Sequence, residues 1–166
     1  MEGPLSLTFN PPGGDYSSGI TMSLACGQTE DATGRFTARH WKAGQDEGEY
    51  TFSSMYSDAI LGIGGQQFIL SFTGLKPGKD YQVRFYFFSA KNPGLMELSD
   101  ISSGQNAEVA QLAWDDKEEF SSATPNEIFS VPLQIQATAE GKAVIRILNK
   151  EGAPLLNGFQ LFENTP

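Results

Sequence analysis

Two period-two runs joined by Pro77-Gly78 constrain this chain more than any other feature. Before the turn, Phe68, Leu70 and Phe72 alternate with Ile69, Ser71 and Thr73. After it, Tyr81, Val83, Phe85 and Phe87 alternate with Gln82, Arg84 and Tyr86. Successive side chains of an extended strand point to opposite faces, so each run gathers its bulky members on one side. Proline presets φ for one central turn position, and glycine accepts φ > 0 at the next. Residues 68–88 therefore read as two antiparallel strands around a sharp reversal.

The same alternation recurs along the chain. Leu5, Leu7 and Phe9 mark a first strand, and Ile20, Met22 and Leu24 a second. Phe129, Val131, Leu133, Ile135 and Ala137 form the clearest run, in which Pro132 favours an edge strand or a bulge. Ala143, Ile145 and Ile147 follow the Glu140-Gly141 turn. Arg35 to Trp41, Glu49 to Ser53, Ser57 to Ile63, Asn106 to Trp114 and Leu155 to Glu163 supply further strand candidates. Residues 27–34 and 42–49 read as polar loops, and 95–105 as a short helical turn or a loop. The 18 glycines and 9 prolines lie between apolar runs, as short strands with tight turns require. At 166 residues the expectation is a single domain spanning 1–166, with residues 1–4 as linker.

Composition narrows the function classes. A net charge of −9 argues against nucleic acid and anionic membranes, because binding a polyphosphate surface needs a basic patch. No run is long and apolar enough to insert into a bilayer. The single Cys26 excludes an intrachain disulfide and a CxxC-type zinc site, and its setting in Met22-Ser23-Leu24-Ala25-Cys26 suits a buried structural thiol. His40 is the one histidine, and no Gly-x-Ser-x-Gly elbow accompanies it. Gly62-Ile63-Gly64-Gly65 lacks the lysine of a phosphate-binding loop. The acids cluster in turn-like runs such as Glu30-Asp31 and Asp46-Glu47. No enzymatic centre is expected.

Leu75-x-Pro77-Gly78-x-x-Tyr81 resembles the tyrosine corner of Greek-key β-sandwiches, in which the phenol ties the corner to upstream backbone. Alone, the stretch 73–88 looks like a fibronectin type III domain. There, however, the tyrosine strand is next to last in about 100 residues, whereas here at least three more strands follow Tyr81. Asn157-Gly158-Phe159-Gln160-Leu161 resembles the closing strand of galactose-binding-like and malectin-like carbohydrate-binding modules. Taken without any family, Asn157-Gly158 reads as a type I′ hairpin turn. The resemblance covers residues 50–90 and 105–163. It implies an all-β, antiparallel two-sheet sandwich of jelly-roll type. It also implies a non-catalytic module of a larger secreted or cell-surface protein, extracellular, with a polysaccharide or oligosaccharide and the parent's other domains as partners. Modules of this kind often carry a structural calcium, for which Asp15, Glu30, Asp31 and Glu163 are conceivable ligands. The rival readings are a structural or adhesive spacer without a sugar site and, third, a glycan-active enzyme.

Two surfaces have the residues to hold a sugar, whose C–H face stacks on aromatic rings and whose hydroxyls need planar polar partners. One lies at loop ends, with Trp114, Trp41 and Tyr56 as platforms and His40, Asp115, Asp116 and Asn149 as polar partners. The other is a sheet face on which Arg84, Tyr86, Gln134, Gln136, Arg146 and Gln160 align if their strands are neighbours.

Overall fold

The computed structural model describes residues 5–9, 19–40, 58–64, 67–89, 93–103, 109–114 and 129–164, apart from the side chains at 9, 39, 40 and 58. In chain order the strands are β1 (Leu5–Phe9), β2 (Ile20–Cys26), β3 (Arg35–His40), β4 (Asp58–Ile63), β5 (Gln67–Thr73) and β6 (Asp80–Tyr86). They continue with β7 (Gly94–Asp100), β8 (Val109–Trp114), β9 (Ser130–Gln136), β10 (Lys142–Asn149), β11 (Leu155–Leu156) and β12 (Gly158–Glu163). All strand pairs are antiparallel. The expected strands at 49–53 and the linker at 1–4 lie outside the described residues.

One layer is a six-stranded sheet in the order β1-β2-β5-β10-β7-β8. The other is made of β11-β4-β3 and β12-β6-β9. The closing segment joins these two: Leu155 and Leu156 pair with β4, and from Gly158 onward the chain pairs with β6. Phe72 meets Phe159 edge-on and Phe36 stacks on Phe68 across the interior, so the layers share one core. The chain is thus a two-layer antiparallel β-sandwich of jelly-roll type.

The alternating positions named from the sequence lie in the core, while β5 is buried on both faces, at Ile69 and Ser71 as well. Phe68, Leu70, Phe72, Val83, Phe85, Phe87, Val131, Leu133, Ile135, Ile145 and Ile147 are all buried. Each such side chain contributes about 1.5–3 kcal/mol. The chain crosses between layers at Lys76–Lys79, where Lys79 N–H donates to Lys76 O at 3.2 Å and Gly78 has φ of 69°. That is a type II turn, which demands a residue free to adopt positive φ. Pro132 sits on β9, the edge of its sheet, where its missing N–H costs no ladder bond.

Two expectations change. Residues 94–100 form strand β7, not a helical turn or loop. Met96 and Leu98 are buried in alternation with Leu95 and Glu97, but leucine, methionine and glutamate favour helix intrinsically and mask the period. Asn157-Gly158 is not a type I′ turn, since neither residue has positive φ. It is the point where the last strand changes partner, and Asn157 Oδ1 accepts the Phe88 N–H there at 2.7 Å.

Candidate functional site

The loop-end grouping does not assemble among the described residues. Trp114 is 4% exposed. Its ring lies over Gly94, the opposing residue on β7, so closely that a Cβ at that position would overlap it. Glycine across the strand pair leaves the hole that draws the indole inward, and a ring so covered offers no stacking face. Asn149 is also buried. Its Nδ2 donates to Ala153 O at 2.8 Å and its Oδ1 accepts from Glu151 N–H at 3.0 Å, so it shapes the turn after β10. His40 ends β3, paired with Asp58. The strand carrying it and the strand carrying Trp114 are each an edge of their own sheet, with β8 facing β9 across the sandwich. Trp41, Tyr56, Asp115 and Asp116 lie outside the described residues.

The sheet-face grouping forms in part, with two exceptions. Val83, Phe85, Leu133 and Ile135 point into the core, so their alternates point outward from β12-β6-β9. Register sets these alternates in rows across three strands. Phe162, Gln82 and Gln134 form one row, and Gln160, Arg84 and Pro132 the next. Ser130 extends the face at one end, and Asp80 and Gln136 at the other. Tyr86 is the first exception: it is 2% exposed and packs in the core, and only its hydroxyl reaches the face, at Gln160. Strands are about 4.8 Å apart and rows about 7 Å apart. Arg146 is the second exception, because β10 belongs to the six-stranded sheet and its outward residues face the opposite side of the sandwich.

Several polar groups of this face are held at one end only. Tyr86 Oη donates to Gln160 Oε1 at 2.7 Å, and Asn164 Nδ2 donates to Gln134 Oε1 at 2.9 Å. The Nε2 groups of Gln160 and Gln134 are then oriented but make no hydrogen bond among the described residues. Gln136 Nε2 donates to Asp80 Oδ1 at 3.1 Å, and Arg84 Nη1 to Ser130 Oγ at 3.3 Å. Phe162, 45% exposed, supplies an apolar ring in the midst of these amides. Sequence reasoning did not single it out as a site residue. The signal was present: Phe162 alternates with Leu161 and shares the phase of Gln160.

Two of the conceivable calcium ligands are paired with lysines. Glu163 receives Lys76 Nζ at 2.9 and 3.1 Å. Glu30 receives Lys142 Nζ at 2.6 Å and the Ser71 hydroxyl. Ammonium groups occupy two of the carboxylates, and among the described residues no three His, Cys, Asp or Glu side chains converge. Asp15 lies outside the described residues.

No family model matches the chain, and no curated protein matches it. Among solved structures, it is similar to the enzymatically active domain of bacteriophage CBA120 tailspike protein 4 (12% identity, TM-score 0.42) over 87% of its own length and 19% of the tailspike chain. It spans only about a fifth of that protein. It is also similar to the CBM22-1 xylan-binding domain of Paenibacillus barcinonensis Xyn10C (14% identity, TM-score 0.40), covering 84% of this chain and 90% of that one. TmCBM61 in complex with beta-1,4-galactotriose gives 13% identity and a TM-score of 0.32, over 79% of this chain and 88% of that one. The architecture stands on the strand pairings above, independent of these distant likenesses.

Proposed function

We propose that this chain is a non-catalytic carbohydrate-binding module that holds an extended, neutral glycan on the outward face of β12-β6-β9. The observation that carries this reading is the exposed ring of Phe162 set in one row with Gln82 and Gln134, beside the row of Gln160 and Arg84. A pyranose presents C–H groups to such a ring and hydroxyls to such amides. Because Gln134 and Gln160 are already oriented by Asn164 and Tyr86, less side-chain freedom is lost on binding. A neutral ligand suits a chain with a net charge of −9. A non-catalytic role agrees with acids that are engaged elsewhere, Glu30 by Lys142, Glu97 by Lys150 and Glu163 by Lys76. In this reading the module belongs to a larger secreted or cell-surface protein and meets its glycan outside the cell.

Burial of Trp114 favours the rival, a structural sandwich without a sugar site. The test is a glycan array followed by titration of the best neutral ligand into wild type, Phe162→Ala and Arg84→Ala. Loss of about tenfold or more in affinity with an unchanged melting temperature is expected for Phe162→Ala, the scale of a lost aromatic contact. An array with no neutral glycan retained, or binding indifferent to both substitutions, supports the spacer.

A further inference from the structure

β1 forms an edge of the six-stranded sheet, with no strand on its far side among the described residues. Natural sheets blunt such edges with charge, proline or a covering segment, because an open row of N–H and C=O groups recruits further strands. Other edges of this sandwich show these devices. β9 carries Pro132, β3 carries Arg35, and β8 lies against β9. β1, Leu5-Ser6-Leu7-Thr8-Phe9, has neither charge nor proline. Its neighbours β2 and β5 are uncharged as well, in a chain of net charge −9.

The inner side of this edge is open too. Leu5 packs on the core, and Leu7, two residues on, shares its side of the strand. Leu7 is nevertheless 58% exposed. Over β1 and β2 the layers part around a groove of about 330 Å³, walled by Leu7, Met22, Leu24, Ile60 and Phe159, with no charged residue in its described lining. An open edge beside an apolar groove fits an added strand, which pairs through its backbone and sets alternate side chains in the groove. β1 has the pattern of such a strand. Antiparallel pairing of two copies about Leu7 sets Leu7 opposite Leu7, Ser6 opposite Thr8 and Leu5 opposite Phe9, apolar to apolar and hydroxyl to hydroxyl. Two chains of like net charge repel least where neither surface is charged. We propose that β1 pairs with β1 of a second copy across a two-fold axis, joining two six-stranded sheets into one. The axis stands perpendicular to the sheet, so both second layers lie on the same side of it. The two β12-β6-β9 faces then look the same way and can hold one glycan surface together. That consequence rests on the carbohydrate-binding reading above, whereas the pairing itself does not.

The experiment is sedimentation velocity on the full chain at up to about 100 μM, combined with disulfide trapping. Wild type is expected to sediment as a dimer at the top of that range. Leu7→Lys, which puts a charge at the centre of the pairing, should dimerise at least about tenfold more weakly, with an unchanged melting temperature in dilute solution. Trapping tests the register. Under mild oxidation Leu7→Cys should form a covalent dimer, because directly opposed residues have Cα atoms about 4.5–5.5 Å apart, within disulfide reach. Ser6→Cys alone should form none, whereas Ser6→Cys mixed with Thr8→Cys should couple. Cys26, 2% exposed, does not compete. A monomer at every concentration, an oligomer larger than a dimer, or equal trapping at Ser6, Leu7 and Thr8 overturns the pairing. A dimer that survives Leu7→Lys unchanged overturns it as well. A dimer trapped at Leu7 alongside an array that retains no glycan leaves the pairing standing and removes only the carbohydrate reading.

Discussion

The hydroxyl of Tyr81 accepts the backbone N–H of Lys76 at 2.9 Å, so the strand after the reversal is tied to the chain that enters it. Tyr81 is 1% exposed, and the Lys76 side chain reaches on to Glu163 at the end of β12. One residue thus links the corner backbone to the closing strand. Tyr81→Phe should cost roughly 1–2 kcal/mol in urea unfolding, the scale of a buried hydrogen bond whose partner is left behind. A difference within error would make the corner an ordinary turn.

Trp114→Ala should destabilise the fold by about 3–5 kcal/mol, as truncation of a buried aromatic does. Glycan binding per folded molecule should stay the same. Gly94→Ala tests the cause from the other side. A methyl group there must displace the indole, and overpacking of this kind costs about 1–3 kcal/mol. Stable, binding-deficient Trp114→Ala protein would return the tryptophan to the binding site.

Glu30 gives the fold an acid-sensitive contact. Burial pushes its carboxyl up, but hydrogen bonds from Lys142 and Ser71, together with the Lys142 charge, outweigh this and hold it below the ordinary glutamate range. A depressed folded-state pKa contributes stability that is present above the unfolded value, about 4.3. That stability is lost as pH falls through the folded value. Wild type should therefore lose more melting temperature than Glu30→Gln between about pH 5 and pH 3. Parallel curves for the two proteins would remove Glu30 from the acid response.

Cys26 should be silent in the native state. It is 2% exposed, and burial pushes its thiol pKa up against a smaller opposing backbone hydrogen bond from Ile63. The thiolate is the reactive form. Thiol labelling at pH 8 should be slow in buffer and complete in denaturant, with the native rate following global unfolding. Rapid native labelling would place the sulfur at the surface.

What could be read from the chain alone was local. Alternation identified the buried members of β5, β6, β9 and β10, because a strand's side chains alternate whatever lies beside it. Pro77-Gly78 located the reversal, since few residues adopt the φ it needs, and Pro132 marked an edge strand because it cannot donate to a ladder. The site was legible only up to that range. Alternation assigned both Arg84 and Arg146 to outward positions, but whether two outward residues share a surface depends on which layer each strand joins. That choice is made by pairings between distant segments, which put β6 beside β9 and β12 and placed β10 between β5 and β7. Arg84 and Arg146 therefore face opposite sides of the sandwich. Trp114 was decided in the same way: a strand-end indole can turn to solvent or inward, and the bare backbone of Gly94 on the neighbouring strand drew it in.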